Sequence, residues 1–379
     1  MTAPHDTLRR YVDDGRLPGA VALVARGDEV EVVTVGHADG GRKVPMARDS
    51  LFRIASVSKP LTAAALMMLV EDGRVALEDP VEQWLPELAA PLMVRTPESP
   101  VDDVVPAERS ITVEDLLSSR PGWGFPADFS LPAVTALFAV QNGRFPHTYP
   151  PLDTWLAELA KVPMLSRPGE TWLYNTASDL QGALIARASG STLPDFMAER
   201  LFGPLGMKDT GFRVPERDWG RLASAFRPGE DGTAEFDDDR VDDWRRMPDF
   251  PSGAGGLVST ADDWLAFARM LLARGESPEG RRVLSPDSVT RMTTDRLTPA
   301  QREASPLFLE GQGWGYGGSV DVARTDPWTV PGRYGWVGGT GTAAHLVPAT
   351  GKVTVLLTPV VMTGPTPPEA MRDFWRVTA

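Results

Sequence analysis

The sequence predicts an α+β protein in which the two chain ends build one antiparallel sheet and a helical region is inserted between them. Three observations lead to this. Near the N-terminus, the runs Ala20 to Ala25 and Val30 to Val35 are rich in β-branched residues and joined by Arg26-Gly27-Asp28-Glu29, a hairpin signal. Near the C-terminus, Ala343 to Val347 and Lys352 to Leu357 flank Pro348-Ala349-Thr350-Gly351 and repeat that pattern. Between them, apolar residues recur at helical rather than alternating spacing.

Taken in order, Leu8 to Asp14 predicts a short amphipathic helix closed by Gly15 and Leu17-Pro18-Gly19. Helical spacing then predicts helices over Leu61 to Glu71, Val113 to Leu117, Leu152 to Leu159, Asp179 to Ala188, Leu193 to Leu201 and Ala261 to Leu272. Thr112-Val113-Glu114-Asp115 and Ser259-Thr260-Ala261-Asp262 read as capping boxes with Asp in the acidic position. Val94 to Ser110 and Phe212 to Pro251, rich in Pro and acidic residues, read as long loops, and Pro368 to Arg376 as a terminal helix. No internal repeat is visible. The chain, 1–379, is expected to be one catalytic domain, with a sheet lobe of about 1–60 plus 255–379 and a helical lobe of about 61–254.

Composition narrows the function. The 379 residues can bury a sizeable core, and 42% hydrophobic with 23% charged residues is ordinary globular composition. A net charge of −13 repels a nucleic-acid backbone. No cysteine is present, which removes disulfides, thiolate nucleophiles and Cys-ligated zinc. Met1 to Asp14 has no apolar signal region and the run Leu61 to Val70 is too short to span a bilayer, so a soluble cytoplasmic protein without membrane or nucleic-acid partners is expected. The histidines His5, His37, His147 and His345 are scattered without ligand spacing and read as surface or loop residues. Asp262-Asp263 is read as helix capping. No metal and no cofactor are expected, and the sequence is silent on oligomeric state.

The chemistry centres on Ser56-Val57-Ser58-Lys59-Pro60. Ser and Lys three apart on a first helical turn share a face, and a serine hydroxyl needs a neighbouring base before it can attack. Burial and the helix N-terminus would lower the lysine pKa, and the Ser56 N–H could supply half of an oxyanion hole. Taken alone, the pattern suits a capping serine and a solvated lysine better than a catalytic pair. Two more stretches change this. Tyr174, in Glu170-Thr171-Trp172-Leu173-Tyr174-Asn175-Thr176, stands at a loop-to-helix junction where a lysine could favour its phenolate as general base. In Tyr334-Gly335-Trp336-Val337-Gly338-Gly339-Thr340-Gly341-Thr342, glycines at a strand edge would let an acyl group approach, with the Gly339 N–H completing the oxyanion hole. G-x-S-x-G is absent, so an α/β-hydrolase elbow is excluded.

The order of these stretches resembles the serine hydrolases that include class C β-lactamases, DD-peptidases and family VIII carboxylesterases. The resemblance runs through Phe52-Arg53-Ile54-Ala55-Ser56-Val57-Ser58-Lys59-Pro60, Val75-Ala76-Leu77-Glu78-Asp79-Pro80-Val81 and Ile111-Thr112-Val113-Glu114-Asp115-Leu116-Leu117. It continues through Pro168-Gly169-Glu170, Tyr174, Ala254-Gly255-Gly256-Leu257-Val258-Ser259-Thr260-Ala261-Asp262-Asp263 and the Trp336 segment. It implies a β-lactamase-like fold, with Ser56 as nucleophile, Lys59 and Tyr174 as the proton-transfer pair in either order, and Trp336-Val337-Gly338 lining the site. Trp123, in Arg120-Pro121-Gly122-Trp123-Gly124-Phe125, falls where relatives place a loop over the pocket.

Two departures bear on substrate. Where the lactamases have Lys-Thr-Gly, this chain has Trp336-Val337-Gly338, which offers no cation to a carboxylate and is expected to add apolar wall. Where class C enzymes have Tyr-x-Asn, Thr176 stands in place of the amide, and Asn175 is one position early. Family VIII esterases commonly carry Trp-x-Gly. The expectation is a carboxylesterase acting on short-chain esters through an acyl-Ser56 intermediate. An acyltransferase, a β-lactamase or DD-peptidase, and a non-catalytic binding homologue are the alternatives.

Overall fold

A computed structural model describes residues 2–141, 146–237 and 241–379. A seven-stranded sheet, antiparallel throughout, runs in the spatial order Glu29–Gly36, Gly19–Arg26, Lys352–Leu357, Thr342–Val347, Tyr334–Gly338, Ser319–Val320, Gly313–Trp314. The N-terminal hairpin therefore pairs directly with the C-terminal one, Leu23 opposite Val355. Alternation sorts the two faces. Val21, Leu23 and Ala25 enter the main core, whereas Ala20, Ala22 and Val24 face a smaller cluster with Leu8, Tyr11, Phe374 and Trp375. That second cluster is the contact of the terminal helices, Ala3–Asp13 and Glu369–Thr378, tied by a Tyr11 hydroxyl bond to Asp373 of 2.8 Å. The architecture is the expected α+β one, an antiparallel sheet flanked by the terminal helices with a helical region inserted between its halves.

Against the opposite face lie Ala261–Leu272 and, beyond it, the helical region. Its central helix, Lys59–Glu71, is buried from Lys59 to Leu69 and packs on Thr176–Ser189, itself buried almost throughout. Such helices have no polar face to show, because each is surrounded by protein.

Several elements depart from expectation. The Thr112 capping box forms with both arms, but the later cap is Thr260, which accepts from Asp263 N, one residue beyond the expected register. Asp262 instead pairs with Arg48. Leu193–Met197 passes into a π-turn at Ala198–Phe202, where the Gly203 N–H bonds back to Ala198 O, before a last α turn at Gly203–Leu205. The two long loops contain short hairpins, Leu92–Val94 with Val104–Pro106 and Phe226–Pro228 with Ala234–Phe236. Pro132–Val140 is a helix that its nearly unbroken apolar sequence hides from periodicity. His345 is not a surface residue: it lies in a central strand, 3% exposed, edge-on to Trp375. No helix among the described residues is long and apolar enough to cross a membrane.

Candidate active site

The site forms where the central helix begins. The short strand Phe52–Arg53, paired with Val258–Ser259, delivers the chain into a 3₁₀ turn, Ala55–Ser58, and the α-helix starts only at Lys59. Ser56 is thus presented on the tighter turn just before the helix. Pro60 fits there because first-turn N–H groups need no intrahelical acceptor. Ala55 enters at φ +44, a conformation L-residues rarely adopt. Such strain is sustained only where the surroundings fix it. Here the Thr340 hydroxyl donates to Arg53 O, and that of Thr342 to Ile54 O at 2.9 Å.

Lys59 is 1% exposed, yet all three of its ammonium donors have acceptors. Nζ donates to Ser56 Oγ at 2.8 Å, Asn175 Oδ1 at 2.9 Å and Ala254 O at 2.7 Å. It also stands 4.7 Å from the centroid of the Tyr174 ring. Burial pushes its pKa well down from the ordinary lysine value, and the carboxylate of Asp179 opposes part of that shift.

Tyr174 is held by backbone and ring. An antiparallel bridge with Phe125 fixes its main chain, with Tyr174 N to Phe125 O at 3.0 Å and the reverse bond at 2.9 Å. Its ring packs against Phe308 and Trp336, with centroids 4.7 and 5.8 Å away. Burial raises the phenol pKa to about 12, against bonds to Ser56 and Trp336 that favour the phenolate.

Two expected wall residues have other surroundings. The Trp336 indole, 4% exposed, spends its Nε1–H on Tyr174 Oη at 2.7 Å and stacks edge-on to Trp314, so little of it is free to form apolar wall. Trp123 is 2% exposed and donates Nε1–H to Val162 O at 2.8 Å. It is a core residue; the segment around it braces Tyr174 through Phe125 instead of covering a pocket. Val337 is half-buried and packs against both cores. Gly338 is forced by space: a Cβ there would meet Thr342 Oγ1 at 2.2 Å and Ile54 O at 2.4 Å. Gly339 follows in the exposed turn beside the nucleophile segment.

Four residues at the site were not assigned to it from sequence. Asn175 reaches Lys59 from one position early because its backbone, at φ +82 and ψ −65, makes a strained γ-turn closed by Thr176 N–H to Tyr174 O at 3.2 Å. Thr176, at the position of the class C amide, is buried and accepts from Gln141 Nε2 at 3.0 Å. Asp179 lies one turn further on, fully buried; Ala254 O comes from the Ser252–Gly256 loop packed against it. The adjacent Asn175 was the one readable signal. Among the described residues, no group of three or more His, Asp or Glu is arranged to hold a metal.

Comparison with known proteins agrees with this geometry. The sequence pattern of the family described as Beta-lactamase matches residues 5–374. The chain belongs to that family. It is 39% identical to Protein Rv1367c of Mycobacterium tuberculosis, over 89% of this chain and 84% of that protein. It is 30% identical to Esterase EstB of Burkholderia gladioli, over 94% and 90% respectively. Among solved structures, EstCE1, described as a hydrolase with promiscuous acyltransferase activity, superposes with a TM-score of 0.83 at 25% identity, covering 100% of this chain and 98% of its own. This member of the family is a serine hydrolase, and family VIII-like esterases are among its relatives.

Proposed function

We propose that this serine hydrolase cleaves carboxylic esters of small acids through an acyl-Ser56 intermediate. The observation that carries the reading is the bond from Trp336 Nε1–H to Tyr174 Oη. The position where lactamases keep a lysine for the antibiotic's carboxylate is here occupied by a buried neutral donor that serves the tyrosine. An uncharged ester is the acyl donor that such a site favours. The likeness to EstB and EstCE1 supports the same substrate class.

Burial brings the Lys59 pKa down to about 7 and raises that of Tyr174 to about 12, so near neutral pH a neutral amine is populated beside the ammonium while the phenolate is not. Lys59 is then the base. It takes the Ser56 proton as Oγ adds to the ester carbonyl, and the N–H groups of Ser56 and Gly339 hold the oxyanion. The C–O bond to the alcohol breaks, and Tyr174 returns a proton to the leaving oxygen while regaining one from Lys59. Water repeats the sequence on the acyl-enzyme and releases the acid.

With p-nitrophenyl acetate and butyrate, Ser56→Ala is expected to lower kcat/KM by about four powers of ten while the fold is kept. Intact-mass spectrometry of the unmodified enzyme should show an acyl adduct on Ser56. Undiminished turnover by Ser56→Ala would sink the nucleophile assignment, and nitrocefin turnover matching the esters would sink the substrate class. A second reading, transfer of the acyl group to an alcohol, is favoured by the activity described for EstCE1. Product analysis with competing alcohols separates the two: ester product outrunning free acid would replace hydrolysis with transfer.

A further inference from the structure

The site contains a buried acid that the steps above do not use. Asp179 is 0% exposed on the first turn of Thr176–Ser189. Its Oδ1 accepts from Ser252 Oγ at 2.5 Å and from Ala254 N at 3.1 Å. Its Oδ2 is buried and has no hydrogen-bond partner among the described residues. Ala254 faces both ways: its N–H donates to Asp179, and the carbonyl of the same residue accepts from Lys59 Nζ at 2.7 Å.

Loop folding alone does not explain an acid here. Both bonds end on one oxygen, and an amide oxygen would accept them equally well, as Asn175 does for Lys59. A carboxylate with a buried, partnerless oxygen is costly unless an opposite charge compensates it. The Ser252–Gly256 loop offers only neutral residues, and the Tyr334–Gly338 strand brings Trp336. The titratable groups that face Lys59 are Tyr174, from the preceding loop, and Asp179, from the helix packed against its own. Burial raises the Asp179 pKa to about 6, against the bonds from Ser252 and Ala254 and the charge of Lys59, so above that pH the two buried charges of opposite sign are Lys59 and Asp179.

We propose that Asp179 is a positioning residue that acts through Lys59, as the buried counter-charge of the ammonium formed when Lys59 takes the Ser56 proton, with the Ala254 residue linking the two. The proposal rests on Ser56 as nucleophile and Lys59 as base. In the step concerned, the Ser56 O–H bond breaks, an N–H bond forms on Lys59, and the new positive charge faces a fixed negative one. The logic is that of a nucleophile–base–carboxylate triad, with a lysine in place of histidine and an acid placed behind it without direct contact. A lysine buried this deeply without a counter-charge would be too weak a base to hold the proton; the carboxylate brings it back toward the working pH.

The test is the pH profile of kcat/KM for p-nitrophenyl butyrate with Asp179→Asn, which keeps the Oδ1 acceptor and removes the charge. Lys59 must be neutral to act, so activity rises through its pKa. Removing a nearby negative charge lowers that pKa, so the acid limb is expected to move to lower pH by about 1 unit or more. The plateau is expected to fall about tenfold or more, since the neutral amine is then a weaker base. A merely structural role would lower the plateau and leave the limb in place, and that result overturns the proposal. If Asp179→Asn is too unstable to assay, the double variant Lys59→Met with Asp179→Asn carries the test by thermal unfolding. With both charges gone it should melt above Asp179→Asn; a double variant melting as low as the single one also overturns the proposal. Ser56→Ala, run in parallel, keeps the two readings apart. An active Ser56→Ala enzyme removes the mechanism beneath the proposal, whereas an inactive one beside an unshifted Asp179→Asn profile removes the proposal alone.

Discussion

From Glu29–Gly36 across to Thr342–Val347 the sheet has four strands of eight, eight, six and six residues, paired in long ladders. From Tyr334–Gly338 outward the strands shorten to five, two and two residues. The long half buries alternate side chains on two faces, and its job is cohesion. The short half gives up ladder length, and with it packing, to bring the Gly338–Thr342 turn against Ile54 and Ala55, one residue before the nucleophile. Stability and reactivity are therefore placed in different parts of one sheet, and substitutions should separate them.

The largest effect is expected in the long half and on stability alone. Leu23, fully buried, should cost about 3 kcal/mol as Leu23→Ala, read by urea unfolding, while kcat on a p-nitrophenyl ester stays unchanged for the folded enzyme. A parallel loss of kcat would mean that the two halves are not separable. In the short half the sign reverses. Gly338→Ala must push the turn away from Ile54 O and Thr342 Oγ1, so a drop of about a hundredfold in kcat is expected, more than the accompanying stability loss of about 1–3 kcal/mol would cause in the folded enzyme. Trp336→Phe keeps the ring and loses the donor to Tyr174; about tenfold in kcat, with KM nearly constant, is the expected cost. If KM rises instead, the indole acts on substrate and not on the tyrosine. The smallest effect belongs to Gly351→Ala in the C-terminal hairpin turn, where φ is +68 and nothing lies within 4 Å. There the left-handed backbone costs about 1 kcal/mol of stability and activity should not move.

The residues that sequence reading left out share a cause. Thr112 and Asp115 cap a helix three positions apart, and Lys59 lies three positions after Ser56, so local spacing alone brings each pair together. Ala254 and Asp179 are separated by 75 residues, and although Ala254 opens one of the matching stretches, nothing along the chain ties it to Asp179. Trp123 and Trp336 were legible as aromatic residues near the site, but not which groups their indole N–H would find. That choice belongs to packing, since a buried donor takes whichever acceptor the fold sets beside it.

By itself, the sequence determined the two terminal hairpins, most of the long helices, and the nucleophile, lysine and tyrosine as a candidate set, because periodicity, turn residues and short spacings act along the chain. Only the tertiary structure decided that Ser56 sits on a 3₁₀ turn, that Trp336 serves Tyr174, that Asn175 reaches Lys59 through a positive φ, and that Asp179 stands behind that lysine. Those contacts join elements that meet only after folding, and burial, a property of the whole core, sets the proton preferences of Lys59 and Tyr174.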